Sequence, residues 1–286
     1  MNKLPAITGS IFNAVAMRLL VFSCFILFSL PATGQVFLRP FDNAASLSLG
    51  GAVSAYPGLE TGLSNEALAG FGEKTAVFLG SAIPYGIAGW RTARLQGVVK
   101  IDRNSGAGLD FSHSGIDAYG EQRFSFSYGR RLGEKFYLGG SVDLLHIAAQ
   151  EYGSATGVNA GIGVLSNPLP RLWLAARIRN PFPQKTGPDR PSGALILGAA
   201  WKPSPILVLL AETEKILERP AQIKAGIEYH PAEALFFRAG MRAGAAARVG
   251  FGAGLRLKNG WGVDAGSEWH PSLGLTPAAM IVWRKP

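Results

Sequence analysis

From Lys74 to the C-terminus the chain repeats one phrase, a segment of about ten residues that alternates apolar and polar positions and then turns. A period of two puts successive side chains on opposite faces of a strand, and no helix accommodates it. In 123–129, Phe124, Phe126 and Tyr128 share one face, opposite Arg123, Ser125, Ser127 and Gly129. Ile223, Ile227 and Tyr229 likewise oppose Lys224, Glu228 and His230. Val249, Phe251 and Leu255 oppose Arg248, Gly252 and Arg256, and Trp261, Val263 and Trp269 oppose Asp264, Glu268 and His270. One face is oily; the other is glycine and charge.

Turn chemistry at Pro84-Tyr-Gly86, Asn104-Ser-Gly106, Gly133-Glu-Lys135, Asn167-Pro-Leu-Pro170, Lys202-Pro-Ser-Pro205, His230-Pro231, Asn259-Gly260 and His270-Pro271 divides the phrase. The predicted strands are 75–83, 87–101, 106–115, 122–131, 135–148, 157–166, 171–180, 193–202, 205–214, 220–230, 233–242, 245–258, 260–269 and 273–285. That makes about fourteen (12–14), with 206–217 also readable as a short helix or loop; a closed single-chain barrel prefers an even count. A soluble barrel or sandwich would alternate in the same way, so the composition of the faces decides. Arg123, Lys224, Glu228, Arg248, Arg256, Asp264 and Glu268 are too many charges for a dry core and natural in the polar lumen of a membrane barrel. Tyr128, Trp201, Tyr229, Trp261, Trp269 and Trp283, near strand ends, suit interfacial girdles. The expected fold is therefore all-β, a transmembrane antiparallel barrel over residues 74–286. Its 37 glycines permit curvature and leave room in the lumen.

The N-terminus reads as an export signal over residues 1–34. Lys3 and Arg18 form a positive region, Leu19–Leu30 an apolar core shorter than the ~20 residues of a spanning helix, and Pro31–Gly34 a small-residue cleavage site. Translation from Met1 or from Met17 would export the same product. The sole cysteine, Cys24, lies inside this segment, and Phe22 spoils a lipobox around it, so no disulfide or thiolate site is expected beyond it. Removing Lys3 and Arg18 takes the formal charge from +9 to +7. The remaining basic residues recur singly at alternate positions, unlike a nucleic-acid footprint, so a basic lumen or loops facing anionic head groups is expected instead.

Residues 35–73 form an N-terminal plug or cap. Gly50-Gly51, Pro57-Gly58 and Gly62 interrupt Phe41–Phe71 too often for a strand of the ~9 to 11 residues that crosses a bilayer. Leu47, Leu49, Val53, Leu59, Leu63 and Leu68 are too many for a solvated linker, and lumenal cations offer partners for Asp42, Glu60 and Glu66. A mobile N-terminal tail is the alternative.

Within this segment the sequence resembles a known family. Leu49-Gly-Gly-Ala-Val-Ser-Ala55, followed by Ser64-Asn-Glu-Ala-Leu-Ala69, is similar to the opening of PorV/PorQ-type proteins and their FadL-like barrel relatives; the residues that match are Gly50, Gly51, Ala52, Asn65 and Ala67. The likeness continues through 126–139, 163–165 and 178–181, with Glu66 standing where the family has proline and Gly70 coming late. The resemblance implies a fourteen-stranded outer-membrane barrel whose N-terminal segment enters or caps the lumen, acting in type IX secretion or in uptake of hydrophobic molecules.

No catalytic constellation emerges. Asp110, Ser112, His113 and Ser114 cluster near a predicted strand end, but alternation sets His113 on the face opposite the others. His113, His146, His230 and His270 lack metal-ligand spacing, and Gly250–Gly254 lacks a following helix and a phosphate-binding lysine. A non-enzymatic barrel without cofactor is expected, with outer-membrane lipid and other envelope or secretion-complex proteins as partners and no nucleic acid. Secretion or surface assembly is the first expectation and hydrophobic transport the second. A lateral opening and an apolar pocket under the plug would favour transport; a polar filled lumen would favour partnership.

Overall fold

The computed structural model describes residues 43–71, 75–183, 191–217, 219–244 and 246–285. The predicted export signal, with Cys24, lies outside them, as do residues 35–42 with Asp42, residues 72–74 and Ala245. Fourteen strands follow two short helices, α1 (Ala44–Ser48) and α2 (Leu68–Phe71). They are β1 (Ala76–Ala82), β2 (Arg91–Lys100), β3 (Ser105–Ile116), β4 (Tyr119–Arg131), β5 (Phe136–Ala149), β6 (Gly153–Leu169) and β7 (Leu172–Arg179). The second half comprises β8 (Ala194–Ser204), β9 (Leu207–Ile216), β10 (Gln222–Ala232), β11 (Leu235–Ala243), β12 (Arg248–Arg256), β13 (Trp261–His270) and β14 (Gly274–Arg284). The segment that could have been a helix or loop, 206–217, is β9.

Each strand pairs antiparallel with its sequence neighbours, and β1 pairs with both β2 and β14, so the sheet is a closed barrel. Closure leaves no unpaired edge, which a sheet exposed to lipid requires. Alternation sets the register: β1 reads buried and exposed in strict succession, and Phe124, Phe126, Val249, Phe251 and Leu255 all point outward at 40–53% exposure. A one-residue slip would turn that oily face into the lumen.

Three sequence turns begin inside strands. Asn167-Pro168, Lys202-Pro203 and His230-Pro231 lie inside β6, β8 and β10, where the ladders slip between Ser166 and Leu169, Trp201 and Ser204, and Tyr229 and Ala232. Proline has no N–H for the ladder, so the strand bulges around it and the tight turn follows two or three residues later.

Turns 101–104, 132–135, 170–171, 205–206, 233–234 and 257–260 share one rim with the start of β1 and the end of β14, here called the terminus-side rim. The longest connections, 83–90 and 180–193, are both on the opposite rim.

An arginine at Phe251 is expected to destabilise the barrel by about 2–4 kcal/mol, the depth-dependent cost of a lipid-facing cation near the bilayer midplane. Urea unfolding in lipid vesicles checks this, and an unchanged midpoint would mean that this face is not in hydrocarbon.

Candidate functional site

The apolar core lies inside the barrel and not between sheets. Leu49, Val53, Tyr56 and Leu68 of the N-terminal segment cluster with Phe78, Val98, Leu165, Val208 and Met280 of the wall. Residues 43–71 thus fill the lumen. Asn43 caps α1, its Oδ1 accepting from the Ser46 N–H at 2.8 Å while its Nδ2 donates to the Thr61 carbonyl at 2.5 Å. Gly50 and Gly51 end the helix in left-handed backbone, φ 63° and 77°, and the Gly51 N–H returns to the Ser46 carbonyl at 2.9 Å. Asn65 is fully buried; its Oδ1 accepts from the Ala67 N–H at 3.0 Å and its Nδ2 donates to the carbonyls of Ser54 and Val164. The residues of the N-terminal motif, Gly50, Gly51, Ala52, Asn65 and Ala67, are all buried here.

Glycines of the inner wall make this packing possible. Register aligns Gly106, Gly129, Gly139 and Gly163 across β3 to β6 beneath α2 and the turn before it, and Gly226, Gly240 and Gly250 across β10 to β12 beneath α1 and Leu49. A methyl group on Gly129 would lie 2.7 Å from the Glu66 carbonyl oxygen, and one on Gly226 would lie 2.9 Å from that of Leu49. The two rows are flat tracks on which backbone touches backbone, which is why glycine is so frequent on the polar face.

Charged side chains tie the segment to the wall. Glu66 accepts from the Arg177 guanidinium at 2.7–2.9 Å and from the Ser141 hydroxyl at 3.3 Å. Glu60 pairs with Arg284 at 2.6 Å. Glu212 accepts the backbone N–H groups of Val53 and Ser54 at 3.2 and 2.9 Å, and its other oxygen accepts from Lys224 at 2.7 Å. The Gln96 carbonyl oxygen accepts from the Leu63 N–H at 2.7 Å. The Tyr56 hydroxyl donates to Glu228. Burial, reinforced by the nearby Glu228 and Glu60 carboxylates, pushes that phenol well above its usual pKa, so it stays a donor throughout the physiological range.

All seven charges assigned to the lumen face inward, Arg123, Lys224, Glu228, Arg248, Arg256, Asp264 and Glu268, and each has an opposite partner on a neighbouring strand or one strand further. Arg238 is the centre of one network, bonding Glu228 through Nε at 2.5 Å and Asp264 through a terminal nitrogen; Arg256 adds a 2.9 Å contact to Asp264. Arg248 and Arg242 share Glu268 at 3.1 and 3.5 Å, and Lys224 bridges Glu212 and Glu214. Sequence reasoning passed over Arg94, Arg177, Arg179, Glu212, Glu214, Arg238 and Arg242. Alternation alone places them inward, since each neighbours an outward residue such as Leu95, Ile178 or Phe237.

Of the two places expected for the net positive charge, the first is corrected. The lumen is not strongly basic: among the described residues, nine Lys and Arg side chains face eight Asp and Glu between the rims. A low-dielectric interior enforces such balance, because an unpaired charge there is costly. Asp110 belongs to a further buried ion pair. It accepts from Arg94 Nε and from Gln96, both at 2.7 Å, in the middle of β3, while the Ser114 hydroxyl is occupied by Trp90 and Thr92. Among the described residues no group of three or more His, Cys, Asp or Glu side chains is placed to hold a metal ion.

Space remains on both sides of the segment. Toward the opposite rim a polar cavity of about 80 Å³ is lined by Arg177, Arg179, Glu212, Glu214, Lys224 and Arg242. Toward the terminus-side rim a cavity of about 510 Å³ has an apolar floor that includes Leu59, Phe71, Tyr137 and Phe236. Phe71 packs edge-on against Tyr137 at 5.3 Å and Trp173 at 4.9 Å.

Comparison with solved structures returns this same architecture. The chain is similar to the CymD monoaromatic hydrocarbon channel, with a TM-score of 0.70 and 13% identity over 85% of this chain and 97% of that one. It is similar to the Pseudomonas putida toluene transporter TodX, at 0.68 and 15% over 88% and 100%. A Pseudomonas aeruginosa FadL homologue gives 0.65 and 12% over 86% and 97%. The chain has the fold of FadL-like outer-membrane channels. At these identities the likeness concerns fold alone. No family model matches the chain, and no curated protein matches it. The FadL-like part of the sequence resemblance therefore agrees with the fold, and the PorV/PorQ part gains no support.

Proposed function

We propose that this chain is a small outer-membrane channel that passes hydrophobic molecules of modest size when its inner segment shifts. The observation that carries this reading is the architecture, a closed fourteen-stranded barrel filled by its own N-terminal segment, in the fold of structures described as a monoaromatic hydrocarbon channel and a toluene transporter. The oily outer face supports residence in the outer membrane, where antiparallel barrels are the β-structures that satisfy every backbone group in lipid. The aromatic floor around Phe71, Tyr137 and Trp173 supports apolar cargo. An apolar molecule cannot replace the bonds of Glu66 to Arg177 or of Glu212 to the Val53 and Ser54 amides. Passage therefore requires the segment to move as a body.

Expressed in the outer membrane of a host without its own hydrophobe channel, the protein is expected to raise the initial uptake rate of radiolabelled toluene above the empty-vector control. A rate equal to that control, from a barrel whose heat-dependent gel migration shows it folded, would overturn the proposal.

A second reading, a PorV/PorQ-like component of secretion or surface assembly, is favoured by one observation. The described ladders join all fourteen strands into a closed ring, and the lumen is filled and crossed by ion pairs. Co-purification of secretion machinery with the detergent-solubilised protein, together with no toluene uptake, would favour that reading.

A further inference from the structure

The described residues carry a net positive charge, and it is concentrated in one place. The lumen is nearly balanced, and on the opposite rim Arg91, Lys215 and Arg219 are matched by Asp117, Glu121 and Glu151. Among the described residues the terminus-side rim carries ten Lys and Arg side chains against four carboxylates, Glu60, Asp102, Glu134 and Glu233. Of these four, Glu60 is taken by Arg284, and Asp102 is held within its own turn by the Asn104 and Ser105 N–H groups and the Ser105 hydroxyl. Glu134 and Glu233 do not line the cavity. Among the described residues the excess therefore stands uncompensated around this mouth.

Its placement distinguishes a soluble partner from lipid. Lys100, Arg131, Lys202 and Arg284 are strand-end residues whose neighbours Val99, Arg130, Trp201 and Trp283 take the outward positions, so these four cations turn toward the lumen axis. With Arg103 they line the 510 Å³ cavity whose floor includes Tyr56, Leu59, Phe71, Tyr137 and Phe236. Lipid head groups sit against the outer wall and cannot enter such a mouth. Lys100, Arg103 and Lys202 have no carboxylate within ion-pair distance among the described residues. Cations also recur on the turns at 170–171 and 257–260, so the charge encircles the opening and is too extended for one small anion.

We propose that the terminus-side mouth is a docking site for an acidic segment of a soluble envelope protein that inserts an aromatic or aliphatic side chain between the cations. The rim with the short turns faces the periplasm in barrels of this kind, which puts the partner there. The surface would act whatever the barrel passes, and so goes beyond the transport reading. Complementary charge of this kind mainly speeds association and fixes orientation, while the apolar floor supplies the anchor.

The test uses the full barrel in nanodiscs of phosphatidylcholine and a fluorescent glutamate-rich peptide with a central phenylalanine, read by anisotropy. Salt-sensitive binding is expected, tighter than that of the same peptide with serine at the centre. The triple variant K100E/R103E/K202E should weaken it about tenfold or more. R91E/K215E/R219E, which changes the net charge equally at the opposite rim, should leave it unaltered. Absence of binding, equal affinity for the two peptides, or equal loss in both triple variants would overturn the proposal. So would displacement of the peptide when phosphatidylglycerol is included in the disc, since that would make lipid head groups the ligand. Heat-dependent gel migration of each variant verifies that the barrel is folded.

Discussion

Deleting residues 43–71 is expected to turn a barrel of low conductance into an open pore with discrete current steps in planar lipid bilayers. Eight strands enclose a lumen that wall side chains can fill, whereas sixteen to eighteen leave an aqueous channel. Fourteen fall between, and in this wall the glycine rows contribute no side chain toward the axis. The interior is therefore filled by the N-terminal segment or by water. Deletion removes Leu49, Tyr56 and Leu68 from the core and releases Arg177 and Arg284 from Glu66 and Glu60. Water entering the lumen solvates these cations, so the barrel itself survives the loss. A folded variant with unchanged low conductance would show that the segment does not close the lumen.

Replacing Arg238 with methionine is expected to destabilise the barrel by about 3–5 kcal/mol, the range for breaking a buried ion pair from one side. The side chains of Arg238, Glu228 and Asp264 are almost wholly buried, at 1%, 0% and 1% exposure. Methionine keeps most of the volume and strands two carboxylates. Tyr56 and His230 still bond Glu228, and Arg256 still meets Asp264, so the loss should fall toward the lower end of that range. The combined variant E228Q/R238M/D264N should recover much of the loss, because no uncompensated charge remains. Urea unfolding midpoints measured in the same vesicles decide the matter. An R238M midpoint equal to wild type would mean that water, and not arginine, solvates these carboxylates.

Arg238 also shows where sequence reading stopped. Its inward position follows from the outward Phe237, and its pairing with Glu228 follows once β10 and β11 are aligned. Its reach to Asp264 crosses the whole of β12 and depends on Gly254, where a side chain would collide with the Asp264 carboxylate and the arginine. No local pattern encodes that contact. The same holds for Glu66. It departs from the proline of the resembling motif, and only the fold brings it beneath Arg177, more than a hundred residues away, in a pocket floored by Gly139, Gly161 and Gly163.

What the sequence determined by itself was whatever repeats at a period of two: the existence of the strands, their number, and which side chains face lipid. These are properties of adjacent residues on an extended backbone, and a wrong register would expose the entire lumenal face at once. Turn positions were legible to within a few residues, except where proline forced a bulge inside a strand in place of ending it. What only the tertiary structure decided was where charge resides. Alternation reports that a side chain points inward but not what waits for it, and so the net positive charge was open to assignment to the lumen or to loops. The closed barrel brings carboxylates from neighbouring strands and from the N-terminal segment to every lumenal cation, because an unpaired charge in that interior would be too costly. Among the described residues the excess is left at the terminus-side rim, where solvent can screen it.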